Sequence, residues 1–469
     1  PYPFVPTRPL PSRRCAPGAP APSMADMNTT NSVRARRTAA YGSAALVLVA
    51  AFSIPTALNA ATDSGSVVLT PPEPTGPHAV GRTELHLVDP DRGHPWVEEA
   101  TERDVMVSVW YPAGEGTGAD GEGDTSAGDG TGTGEPAPYV TPSVSGVLKS
   151  ELEQGGLHRD DVDFDASRVN ALQDVPAAGT GPFPVVLYSP GLEQSRFLNA
   201  LHLEELASHG YVVAAMDHPY ETLAVDMPDG RVLRTSAPSF SPEALKEAVA
   251  VRRADTRLVL DGLTALAEGG NPDAGGQEPP EGLGGALDLD AVGMFGHSAG
   301  GLTTAEVMLE DDRVDAGLNL DGTIGYHVGD EVWSEANLRG ADRPFALLTA
   351  GRAGAGLEPH HSGYSAGFRT FVDASSVDVL ELYMAEGEHF SYTDHQWILP
   401  DVDEALRPGN RAWPDLVEGA IGTVDPEESV RAQRAYVTAF FDAHLRGQRE
   451  PILDGPSPDL PAMEFVGED

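Results

Sequence analysis

The stretch Gly296-His297-Ser298-Ala299-Gly300-Gly301 constrains this chain more than any other. It stands directly behind the apolar run Ala291-Val292-Gly293-Met294-Phe295 and directly ahead of Leu302-Thr303-Thr304-Ala305-Glu306-Val307-Met308-Leu309, an order of strand, sharp turn and helix. A serine hydroxyl is a poor nucleophile until a strained turn exposes it, a base takes its proton and backbone N–H groups face the oxygen that becomes charged. Small residues on both sides of Ser298 permit that turn, which makes it the candidate nucleophile. The G-x-S-x-G pattern alone is weak, because with 52 glycines in 469 residues chance supplies roughly 0.3 copies. A second copy, Gly363-Tyr364-Ser365-Ala366-Gly367, follows the polar run Glu358-Pro359-His360-His361-Ser362 with no strand ahead of it. Ser365 therefore reads as a loop serine.

The rest of the chain is organised around that elbow. Alternating residues at 83–89 and 105–112 predict two strands, an antiparallel pair at a sheet edge. From residue 183 short buried strands alternate with helices, which implies a mainly parallel sheet covered on both faces. The third strand is 183–189, running into the turn Pro190-Gly191-Leu192 and a helix over 198–209; the fourth is 211–216, ahead of a long helix over 244–266. The fifth enters the elbow. The sixth, seventh and eighth follow at 316–322, 345–350 and 377–382, and a helix over 429–445 closes the domain with Tyr436, Phe440, Phe441 and Leu445 on one face. Eight strands with helices on both faces and an elbow after the fifth describe an α/β-hydrolase spanning residues 81–450. Residues 63–80 read as a Pro-rich linker, 113–136 as a disordered acidic insert and 451–469 as a C-terminal tail. The carboxylates of the insert lack the spacing of a calcium loop.

Charge narrows the partners. Lys plus Arg is 30 against 72 Asp plus Glu, a net charge of −42, and Lys149 and Lys246 are the only lysines. Such a surface repels nucleic acid and anionic membranes, and it suits a protein working in strong salt, where screening removes the cost of self-repulsion. Ahead of the linker, residues 1–62 read as an upstream segment followed by a secretory signal: Arg34, Arg36 and Arg37, an apolar centre at 44–54, then small residues at 57–61. The expectation is a secreted or extracytoplasmic protein, with a membrane anchor as the alternative use of that apolar centre. Cys15 is the sole cysteine, so the hydrolase domain has no disulfide and no cysteine metal site.

Ligands in open α/β sheets sit at the carboxyl ends of the strands. Ser298, Asp321 and His389 all fall at such ends, in the chain order nucleophile, acid, base. His389 would take the serine proton, and Asp321 would hold its tautomer. Asp321 is preferred because the seventh strand has no carboxylate behind it before Glu358, while Asp342 lies at its wrong end. The oxyanion donors are expected to be the backbone N–H groups of Leu192 and Ala299. His218 and His297 are candidates to line the pocket, although a surface histidine is the plainer reading of these two and of His395. His360-His361 has no carboxylate motif nearby, so a solvated loop is preferred to a metal site. No cofactor is implied.

The segment 183–189 with Gly191-Leu192, the run Leu206-Ala207-Ser208-His209-Gly210 into Tyr211-Val212-Val213-Ala214-Ala215, Trp110-Tyr111-Pro112 and the elbow itself resemble the plasma-type platelet-activating factor acetylhydrolases and their bacterial relatives, from about residue 79 to 447. The resemblance implies a calcium-independent serine lipase fold that removes short or oxidised acyl chains from phospholipids. By motif the family's nucleophile, acid and base fall on Ser298, Asp321 and His389, and its oxyanion donors on Leu192 and Ala299. The animal enzymes carry a histidine where Pro190 stands here. A small-molecule or lipid ester substrate follows, with transient contact to a lipid surface and no evident protein partner. Two other readings share the fold: a broad esterase, polyesterase or dienelactone-hydrolase-like enzyme, and a catalytically dead binding protein. The intact trio argues against the last.

Overall fold

Strands that are apolar along their whole length must be covered on both faces, and the computed structural model, which describes residues 65–114, 134–326, 332–353 and 357–467, is built on that constraint. Its strands are β1 (Val80–Asp89), β2 (Arg103–Pro112), β3 (Pro136–Pro138), β4 (Arg168–Gln173), β5 (Phe183–Ser189), β6 (Val212–Met216), β7 (Ala224–Asp226), β8 (Val232–Arg234), β9 (Leu287–His297), β10 (Ala316–Leu320), β11 (Phe345–Ala350), β12 (Arg352–Ala353), β13 (Glu358–Pro359), β14 (Val379–Met384) and β15 (Glu464–Phe465). The helices are α1 (Pro142–Gln154), α2 (Ala200–Ser208), α3 (Pro242–Ala267), α4 (Ala299–Met308), α5 (Glu335–Arg339), α6 (Ala366–Ala374), α7 (His395–Leu406), α8 (Ala412–Ile421) and α9 (Pro426–Leu445).

Eleven strands form the main sheet in the order β15-β14-β11-β10-β9-β5-β6-β2-β1-β4-β3. The six from β6 to β14 are mutually parallel, while β2 and β1 join antiparallel as expected. The eight strands read from the sequence are the middle eight. Side chains divide with the period of two that a strand imposes. Val186 and Tyr188 of β5 enter one core with Leu201 of α2, Trp397 of α7 and Phe440 of α9; Val185 and Leu187 enter the other with Val259 of α3, Met308 of α4 and Phe371 of α6.

From β5 the chain steps to β6 on one side and later lays β9 on the other, so the strand order reverses between β5 and β9. A crevice opens at the carboxyl ends on either side of such a reversal. Ser189 at the end of β5 is in register with Gly296 near the end of β9, and Leu320 of β10 with His297. The three loops that leave these strands therefore start side by side.

Two stretches depart from the sequence reading. The expected tail from residue 451 is more than that over its described residues, 451–467: Leu460 and Met463 are buried, and β15 pairs with β14. The expected linker lies against the body, where Leu69 N donates to Ser167 Oγ at 2.9 Å and Gly76 sits so close to Ser208 that a Cβ would fall 2.3 Å from its carbonyl. Pairing and backbone contact of this kind need partners far along the chain, which local periodicity does not report. The upstream segment, signal and nearly all of the acidic insert lie outside the described residues.

Candidate active site

The elbow turns on Ser298, which holds φ 56° and ψ −121° between β9 and α4. Three glycines make room for it. A Cβ on Gly296 would lie 2.3 Å from the Gly300 carbonyl carbon, one on Gly300 would lie 1.9 Å from Ser189 O, and one on Gly322 would lie 2.1 Å from Ser298 O. The Ser298 N–H donates to Leu320 O at 2.9 Å, which pins the elbow to the end of β10 and puts the next residue, Asp321, alongside.

Asp321 also has a positive φ, 50°, so the chain turns sharply as it leaves the strand. Its carboxylate is buried and fully used. Oδ2 accepts from His389 Nδ1 at 2.6 Å, and Oδ1 accepts from Ala350 N at 2.8 Å and from His360 Nδ1 at 2.8 Å. Burial pushes the carboxyl pKa up, but the two imidazoles and their hydrogen bonds outweigh it and hold the group well below the usual carboxylate range. Since Nδ1 of His389 donates to Asp321, its Nε2 is left to accept, and Ser298 Oγ lies 3.0 Å from it. That geometry can take the hydroxyl proton onto His389 beside an anion that stabilises the imidazolium. The competing carboxylates stand apart: Asp342 is exposed and pairs with Arg343 at 3.1 Å, and Glu358 is exposed on β13.

The Leu192 and Ala299 N–H groups have no hydrogen-bond partner among the described residues. Around them lies a small apolar cluster of Leu245, Val249, Ala299, Leu302 and Tyr326, with Leu192 packed against it.

The other histidines require correction, since none of the three strongest is on the surface. His297 is fully buried; its Nε2 lies 2.9 Å from His389 O and its Nδ1 2.8 Å from Gln194 Oε1, and burial pushes its pKa down to about 3. It ties the elbow to the backbone of His389. His218, expected in the pocket, is fully buried and bonded on both ring nitrogens, to Ser189 Oγ and to Asp255 Oδ2, each at 2.9 Å. His360, expected in a solvated loop, is buried against Asp321 because the β12–β13 pairing turns the chain back onto it. Ser365 takes the N-cap position of α6, and its side chain makes no capping hydrogen bond. Among the described residues no three His, Cys, Asp or Glu side chains converge to hold a metal.

A sequence model of the family described as platelet-activating factor acetylhydrolase, isoform II, matches residues 148–227. Among curated proteins, the chain is 27% identical over 409 residues to a probable 1-alkyl-2-acetylglycerophosphocholine esterase of Arthroderma benhamiae, an alignment covering 84% of this chain and 93% of the relative. Together these matches support the platelet-activating factor acetylhydrolase family, on an α/β-hydrolase fold. The chain is a carboxylic ester hydrolase. The acetylhydrolase of Cavia porcellus is 29% identical over 187 residues, 34% of this chain and 41% of that enzyme. Among solved structures, a ferulic acid esterase from Streptomyces cinnamoneus is 31% identical with a TM-score of 0.63, covering 86% of this chain and all of the other.

Proposed function

We propose that this acetylhydrolase-family chain cleaves short or oxidised acyl esters of phospholipids through an acyl-enzyme on Ser298. His389 serves as general base and then general acid, Asp321 orients it, and the Leu192 and Ala299 N–H groups hold the oxyanion. The observation that carries this reading is the Ser298 Oγ to His389 Nε2 contact of 3.0 Å at a positive-φ elbow, backed by the 2.6 Å contact to Asp321. The phospholipid substrate is supported by the Arthroderma relative, a probable 1-alkyl-2-acetylglycerophosphocholine esterase aligned over 93% of its length. A compact apolar cluster beside the donors suits a short acyl chain.

A second reading is a broad esterase, favoured by the ferulic acid esterase that covers 86% of the chain. A panel of esters graded in acyl length, with and without a phosphocholine head and including a feruloyl ester, separates the two. Preference for acetyl or butyryl esters carrying phosphocholine supports the proposal; preference for feruloyl or plain alkyl esters replaces it. Activity surviving Ser298→Ala would overturn both. Export belongs to the proposal as well, supported by the basic and apolar residues at 34–61, and its test is the fraction of esterase activity found outside the cell.

A further inference from the structure

One oxyanion donor, Leu192 N–H, sits in a turn outside any helix or strand, closed only by Gln194 N–H onto Gly191 O at 3.3 Å, and a second, stronger hold on that carbonyl fixes which way the peptide faces. Arg252 of α3, 1% exposed as a side chain, reaches this loop from beneath. Its five N–H bonds are all used. Nη1 donates to Ser189 Oγ at 3.1 Å and to Pro190 O at 2.5 Å; Nη2 donates to Gly191 O at 3.0 Å and to Glu221 Oε1; Nε donates to Glu221 Oε2 at 2.8 Å. Two consecutive carbonyls of the loop are therefore pulled toward one guanidinium. A trans peptide is planar, with its C=O and N–H pointing opposite ways. Holding Gly191 C=O on Arg252 sends the Leu192 N–H the other way, out of the protein interior.

The clamp is itself anchored. Ser189 Oγ–H donates to His218 Nε2, His218 Nδ1–H donates to Asp255, and Asp255 is held by Arg103 through Nε at 2.9 Å and Nη2 at 2.6 Å. This second serine, histidine and aspartate set has no route to substrate, because Ser189 is wholly buried. From the other side, Gly191 N–H donates to Gln194 Oε1 at 3.0 Å.

We propose that Arg252 is a positioning residue that presets the oxyanion site by holding the Pro190 and Gly191 carbonyls, so that the Leu192 N–H meets the transition state without rearrangement. The inference rests on the reading of Leu192 as an oxyanion donor. A preset donor acts on the transition state more than on the bound ester. Arg252→Lys keeps the charge but loses the fork, and Arg252→Met combined with Glu221→Gln removes the buried pair together, so no lone carboxylate is left behind. Turnover is measured per titratable Ser298, counted by fluorophosphonate labelling, together with affinity for a trifluoromethyl ketone that forms a tetrahedral adduct.

Losing one oxyanion donor costs about 10²- to 10³-fold in kcat, so the double variant is expected to fall by roughly 10²-fold with KM within a few-fold, and ketone affinity should fall with kcat. Arg252→Lys should lie between it and the parent. Arg253→Gln, on the neighbouring partly exposed residue that pairs with Glu306 and Glu310, should behave as the parent. A kcat per titrated site that is unchanged, or a loss confined to melting temperature and titratable fraction, overturns the clamp. The reading beneath it fails separately, if Ser298→Ala stays active.

Discussion

Ser298 and Asp321, at the β9 and β10 ends, are both held in backbone conformations that a side chain ordinarily avoids, φ 56° and φ 50°. Each costs on the order of 1–3 kcal/mol and persists because its surroundings over-determine it. For Asp321 those surroundings are its own N–H on Leu348 O at 2.7 Å and three donors on its carboxylate. An amide in its place keeps the shape but offers an N–H where His389 Nδ1–H must donate, which favours the wrong tautomer. Asp321→Asn should therefore lower kcat by about 10²- to 10⁴-fold in a folded protein, whereas Asp342→Asn should leave it near normal. Comparing kcat of the two variants checks this: near-normal turnover in Asp321→Asn, with collapse in Asp342→Asn, means the acid lies elsewhere.

At the scale of elements, the site depends on α4 starting in contact with the end of β5, which only backbone without side chains allows. A methyl on Gly300 would sit 1.9 Å from Ser189 O, well inside any tolerable contact, and neither partner can give way because one is a strand end and the other a helix start. Gly300→Ala is expected to destabilise by several kcal/mol, at the severe end for a single substitution, or to displace the Pro190–Leu192 loop. Its melting temperature and kcat should fall together. Gly447→Ala, where nothing lies within 4 Å but φ is 65°, should cost far less, about 1 kcal/mol. Equal effects from the two would show that the close approach is not what limits the elbow.

For the molecule as a whole, acid stability is set by imidazoles kept neutral in the interior. Burial pushes His202 and His297 down to about 3 and His94 down to about 4. The unfolded chain takes up these protons near the ordinary histidine value while the folded chain refuses them. Stability is thus complete above about pH 6.5 and is lost as the pH falls toward 4, by about 2 kcal/mol each for His202 and His297 at pH 5. Glu204, raised to about 7 by burial, works in the other direction and offsets one of them. The melting temperature should drop between pH 7 and pH 5, and His202→Gln should flatten that drop; a profile level over the interval would show that these rings are not neutral in the fold. The net charge of −42 acts at the same scale. If the acidity serves strong salt, the melting temperature rises from low to molar sodium chloride, and a flat or falling curve assigns it another cause.

The sequence by itself determined the elements whose signal is local. The elbow at Ser298, the eight buried strands, the long α3 and the placing of Ser298, Asp321 and His389 after strand ends are all written in periodicity, small residues and turns, because burial on one or two faces repeats every few residues. Tertiary structure decided what is held in place across distance. His360 reaches Asp321 from 39 residues away, and Arg252 reaches Gly191 O from 61 residues away. Nothing around His360-His361 or in the middle of an amphipathic helix distinguishes a residue that supports a site from one that faces water. The same holds for β3, β4 and β15, strands of three, six and two residues at the sheet margins. Too short or too irregular to carry a period, they are strands because an edge with unpaired N–H and C=O groups was there to receive them.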